Sequence, residues 1–127
     1  MITFFVPGSP PSANLRQHYQ VTARERAKFR KATAEIAELY LYPYGPITNY
    51  AIVTVRRVAK DHRRRDPGSL AEMVKPILDG IVDSGLLIDD NENCINLRLL
   101  RTRVEKGATT GIEVEIRPVP GTLAPCP

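Results

Sequence analysis

The chain has 127 residues, 43% of them hydrophobic, which suits one compact domain with a single core. No run approaches the roughly 20 apolar residues of a membrane-spanning helix, and the opening Met1-Ile2-Thr3-Phe4-Phe5-Val6-Pro7-Gly8 lacks the basic leader and long apolar region of a secretory signal. A helical membrane protein is thereby excluded and a cytoplasmic setting expected. The two cysteines, Cys94 and Cys126, have no CxxC spacing and no nearby histidine, so neither a zinc site nor a disulfide framework is expected.

The formal net charge of +4 conceals an asymmetry. Residues 1–65 carry 12 Lys/Arg against 4 Asp/Glu, and residues 66–127 carry 6 against 10, so the halves stand at +8 and −4. The basic half is densest from Arg56 to Arg65, a run suited to holding phosphates through charge neutralisation and counterion release. Seven of the 14 acids then fall between Asp66 and Glu92. Carboxylates beside a basic patch repel a phosphate backbone, whereas a divalent cation between the two reverses that sign. The juxtaposition points to a metal-dependent enzyme acting on nucleic acid.

Along the chain, residues 2–6 read as a strand closed by the Pro/Ser-rich segment 7–12. A helix is expected over 22–42, with Thr22 and Glu25 as a capping box and Phe29, Ala32, Ile36 and Leu39 facing the core. A β-branched run predicts a strand over 47–58 leading into the basic loop at 59–65. A second helix is expected over 69–84, stopped at Gly85, with Pro76 kinking it or dividing off its first turn. The acidic turn 88–93 precedes a strand over 95–104, in which Ile95, Leu97 and Leu99 alternate with polar residues. A hairpin turn at 107–111 leads to a last strand carrying Ile112, Val114 and Ile116. The order β-α-β-α-β-β predicts an α+β (α/β-like) single domain, residues 1–118, with a mixed four-stranded sheet and two main helices packed on it. Residues 119–127 are expected to be a flexible Pro-rich tail.

The informative stretches are Arg63-Arg64-Arg65-Asp66-Pro67-Gly68-Ser69-Leu70, Lys75-Pro76-Ile77-Leu78-Asp79-Gly80 and Gly85-Leu86-Leu87-Ile88-Asp89-Asp90, with Pro10-Pro11-Ser12-Ala13-Asn14-Leu15-Arg16 upstream. In these the chain resembles the RusA family of Holliday-junction resolvases, common in phages and prophages. That family shows an Arg-rich loop, Asp-x-Asp-Asn-Leu at a helix start, a helical Lys with Asp four residues on, and a paired Asp-Asp turn, with Pro-Pro-Ser-x-Asn after the first strand. The resemblance covers all but the tail. It implies a homodimeric Mg²⁺-dependent (or Mn²⁺-dependent) endonuclease that nicks four-way DNA junctions symmetrically in recombination and repair. By position, Asp66 matches the first motif aspartate, Lys75 the helical lysine, Asp79 the helical aspartate and Asp90 the second residue of the paired turn. The sequence departs from the pattern where Asp-x-Asp-Asn becomes Asp66-Pro67-Gly68-Ser69, and three extra residues precede Lys75.

Phosphodiester hydrolysis needs an activated water and charge stabilisation that metal ions supply. Asp66 and Asp90 are the expected metal ligands, with Asp89, Glu72, Glu92 and Asp79 as further oxygen donors. Asp66 alternatively caps the second helix, with Pro67 at its first position. Lys75 is expected to be catalytic, binding phosphate or stabilising developing charge, and Asp79 to orient it from one turn away. Arg63, Arg64, Arg65, Lys60, Asn14 and Arg16 are expected to contact DNA. A C2 dimer would present two equivalent sites to a pseudo-two-fold junction. The alternative function is a junction-binding protein of weak or no activity that has lost a metal ligand at Gly68.

Overall fold

The computed structural model describes residues 1–8, 19–61 and 67–122, the side chains of 19–22, 67–69, 72 and 73 excepted. Within them run β1 (Ile2–Pro7), α1 (Tyr19–Tyr44), β2 (Ala51–Ala59), α2 (Pro67–Ser84), β3 (Ile95–Leu99), β4 (Arg103–Val104) and β5 (Gly111–Pro118). The sheet is mixed, in the order β1-β5-β2-β3, with β4 also against β2. β5 is antiparallel to both β1 and β2, whereas β3 and β4 run parallel to β2. The β1-α1-β2 and β2-α2-β3 connections are therefore parallel crossovers stepping in the same direction. Right-handed crossovers of that kind lay both helices on one face.

Alternation along the strands follows from that layering. Ile2, Phe4, Val6, Ala51, Val53, Val55, Ile112, Val114 and Ile116 share one core with Phe29, Ala37, Leu70, Val74, Ile77, Leu78 and Ile81 of the helices. The intervening residues Thr3, Thr54, Arg56, Glu113 and Glu115 lie on the face that neither α1 nor α2 covers. The α+β class, mixed sheet and two helices match expectation. The strand count does not, because the expected strand over 95–104 is split. Between the pairings Val55↔Leu99 and Val58↔Arg103, three residues (Leu100, Arg101, Thr102) oppose two (Arg56, Arg57). That extra residue makes a bulge and breaks the alternation. The turn after it is no hairpin, since β4 and β5 lie on opposite sides of β2.

α1 begins at Tyr19, so Thr22 lies inside the helix rather than capping it. Its buried stripe is Phe29, Thr33 and Ala37, with Ile36, Tyr40 and Leu41 packed beside it, while Leu39 is 72% exposed against expectation. The stripe is set by the approach of α2. A Cβ on Gly80 would lie 2.5 Å from the Arg30 carbonyl oxygen and 2.8 Å from Thr33 Cβ. Only glycine allows that crossing, and the buried Thr33 hydroxyl donates back to the Phe29 carbonyl (2.8 Å). α2 runs unbroken through Pro76. It stops where Gly85 adopts a left-handed φ of 86°.

Leu97 and Leu99, at the sheet edge beyond α2, are about 40% exposed rather than buried. Cys94 is buried and disulfide-bonded, which corrects the expectation of unpaired thiols; pairing depends on proximity in space, which sequence spacing does not report. Val119 donates to the Tyr50 carbonyl (2.7 Å), and Asn49 Nδ2 donates to the Thr122 carbonyl (2.8 Å). Val119 and Thr122, among the first residues of the expected tail, are thus tied to the segment before β2, and residues 123–127 lie outside the described residues.

Candidate active site

Three expected site residues meet on the outer side of α2. Lys75 and Asp79 stand one helical turn apart and pair at 3.1 Å. The turn between α2 and β3 brings Asp90 Oδ2 to 2.8 Å from Lys75 Nζ. That turn is held by its own polar side chains. Asp89 accepts from the Asp90 amide (2.7 Å) and Asn91 Nδ2 (3.0 Å), Asn91 Oδ1 accepts from the Asn93 amide (2.9 Å), and the Asn91 carbonyl accepts from the amides of Cys94 and Ile95. Asp89 therefore shapes the turn, and Asp90 is the member of the pair that faces Lys75.

A fourth participant, which sequence reasoning missed, comes from α1. Arg30 binds Asp83 through two hydrogen bonds (2.6 and 2.9 Å) and lies 3.6 Å from Asp79. The close crossing at Gly80 brings α1 near enough for this contact. The local signal was only the i, i+4 acids Asp79 and Asp83 on one face of α2, because Arg30 is 53 residues from Asp83. The resulting chain Asp83–Arg30–Asp79–Lys75–Asp90 has three acids and two bases, so one negative charge remains uncompensated.

The electrostatics follow the contacts. The Lys75 ammonium, hydrogen-bonded to Asp90, holds that carboxyl below its ordinary value, and the neighbouring Asp89 adds to the effect. Lys75 is raised in turn, first by Asp90 and then by Asp79. Arg30 is raised and Asp83 lowered by their mutual hydrogen bonds. Asp90 is thus a carboxylate at any pH near neutral. Lys75 is a cation whose side chain stays 67% exposed, so it remains within reach of an incoming anion.

Oxygen donors such as Asp79 and Asp90 suit a hard divalent cation. Among the described residues, however, no three His, Cys, Asp or Glu side chains converge, and both carboxylates already contact Lys75. The described residues alone do not form a metal site. Gly68 lies in the first turn of α2 and offers no side-chain donor, and Glu92 is exposed beyond Asp90. Glu72 belongs to α2, but its side chain lies outside the described residues, as do Asp66, Arg63, Arg64, Arg65, Asn14 and Arg16. Lys60 is exposed just past β2.

No family model matches the chain, and none of the curated proteins matches it.

Proposed function

We propose that the protein is a metal-dependent endonuclease that resolves four-way DNA junctions by paired symmetric nicks, acting as a homodimer in recombination and repair. The observation that carries this reading is the meeting of Lys75 with Asp79 and Asp90 at 3.1 and 2.8 Å. These are the helical lysine, helical aspartate and paired-turn aspartate of the RusA-like pattern, drawn together from a helix and a separate turn. In this reading Asp90, together with Asp66, holds Mg²⁺ or Mn²⁺. Bound there, such an ion would supply an activated water and charge stabilisation at the phosphate. Lys75 supports the phosphate, Asp79 positions Lys75, and Arg63, Arg64, Arg65 and Lys60 hold the backbone. The setting is the cytoplasm of a bacterium or phage-infected host, an assignment that rests on the DNA substrate, since the Cys94 disulfide removes the argument from free thiols.

Junction binding without cleavage is the second reading. It is favoured by Gly68, a residue without a donor at the motif's second acidic position, and by the engagement of Asp79 and Asp90 with Lys75. Incubating the purified protein with a synthetic four-way junction and with a linear duplex, each with and without Mg²⁺, separates the two. The first reading expects Mg²⁺-dependent nicks placed symmetrically in the junction and little cutting of the duplex. Binding without nicks would select the second.

A further inference from the structure

The uncovered sheet face sorts its arginines into two kinds. Arg103 is paired with Glu113 (2.7 Å) and Glu105 (2.8 Å), and Arg117 with Glu115 (3.4 Å). Both carboxylates of that face, Glu113 and Glu115, are thereby committed. Arg56 faces Glu113 in register and Arg98 faces Thr54, yet neither makes an ion pair with any described residue, and the Nε of Arg56, like that of Arg103, is buried with no hydrogen-bond partner among them. A buried guanidinium N–H left without an acceptor is costly unless a ligand or solvent supplies one. Arg101, exposed and without an ion-pair partner among the described residues, lies in the three-residue bulge between β3 and β4 at the sheet edge. Because β2 and β3 are parallel, Arg56, Arg98 and Arg101 collect toward the same, C-terminal end of those strands, where the exposed Lys60 follows. Ligands of open sheets with parallel strands commonly bind at that end.

We propose that this edge of the uncovered face, built on Arg56, Arg98 and Arg101, is a second contact surface for the DNA sugar-phosphate backbone. It lies on the other side of the sheet from Lys75 and Asp90. The proposal deepens the nuclease reading by assigning a further stretch of the same substrate to a surface separate from the reacting centre. Guanidinium groups without carboxylate partners match phosphate oxygens and carry little base information, so the contact is expected to be indifferent to sequence.

The test measures junction binding by fluorescence anisotropy in EDTA over a series of salt concentrations. It compares the unsubstituted protein with Arg98→Ala/Arg101→Ala and with Arg117→Ala, which removes an arginine already paired on the same face. The double variant is expected to lower the slope of log affinity against log salt by about two and to weaken binding roughly tenfold near 0.1 M salt. Arg117→Ala is expected to leave the slope unchanged. Equal slopes for all three proteins would overturn the proposal. So would a change of oligomeric state in the double variant, by size-exclusion chromatography, because the edge would then be a subunit interface. Cleavage in Mg²⁺ is read separately. A reduced slope without any wild-type cleavage keeps this surface and removes the nuclease reading; wild-type cleavage with an unchanged slope does the reverse.

Discussion

The two sides of the sheet handle positive charge in opposite ways. On the helical side, Arg30 and Lys75 are locked between Asp83, Asp79 and Asp90, so the cations are positioned and largely neutralised. On the face away from the helices, Arg56 and Arg98 have no carboxylate to themselves among the described residues, where Glu113 and Glu115 pair with Arg103 and Arg117. Paired cations fix geometry, and unpaired cations leave a net field for a polyanion. The charge halves of the sequence thus blend in space: Arg30, from the basic half, serves the acidic cluster, while Arg98 and Arg101, from the acidic half, join the basic edge.

The largest effect should come from breaking the paired side at its centre. Lys75→Ala or Asp90→Asn is expected to slow junction cleavage by about a hundredfold or more while leaving binding in EDTA nearly intact, measured by single-turnover kinetics and anisotropy. Equal losses in both would make Lys75 a binding residue like those of the uncovered edge. Next comes the crossing that builds the paired side. Gly80→Val forces a side chain against the α1 backbone and should cost about 2 kcal/mol, lowering the melting temperature by roughly 7 °C; an unchanged melt would mean that the helices do not meet at that distance.

A smaller effect is carried by protons. Asp90 is depressed below its ordinary 3.8, so its contribution to stability is complete above that value and is lost as pH falls through the lower folded one. Lys75 is raised above its ordinary 10.5, so its contribution holds below that value and is lost as pH rises through the folded one. Between those limits the pair adds no pH dependence. Lys75→Met should return the Asp90 titration toward the ordinary range, as followed by carboxyl NMR, and a titration that stays low would assign the shift to Asp89 and the turn. The smallest change is expected from Arg30→Gln. It loosens Asp79 without removing a group that meets substrate, so cleavage should fall by less than in Lys75→Ala, with the pH profile moved as Lys75 loses its positioning.

Much of the architecture was legible because it depends on local periodicity. The alternation of Ile112, Val114 and Ile116, the stop at Gly85 and the stripe of α2 are properties of short segments. Leu39 was misplaced because helical spacing alone admits more than one buried stripe, and the approach of Gly80 to Thr33 selects which one is covered. The bulge at Leu100–Thr102 was illegible because it exists only relative to β2. Within the site, Lys75 and Asp79 could be linked by their i, i+4 spacing, and Asp90 by resemblance to a family pattern. Arg30 could not be linked, since its contact with Asp83 spans two helices. Asp89 and Asp90 read alike in sequence, and only the folded turn separates the one that holds the loop from the one that meets the lysine.

The central claim is tested most directly by strand-resolved cleavage of a four-way junction with and without Mg²⁺, using the wild-type protein beside Lys75→Ala. The account predicts symmetric, Mg²⁺-dependent nicks by the wild type and their loss in the variant. Wild-type protein that binds the junction without nicking it, or a Lys75→Ala variant that cuts as fast as wild type, would contradict it.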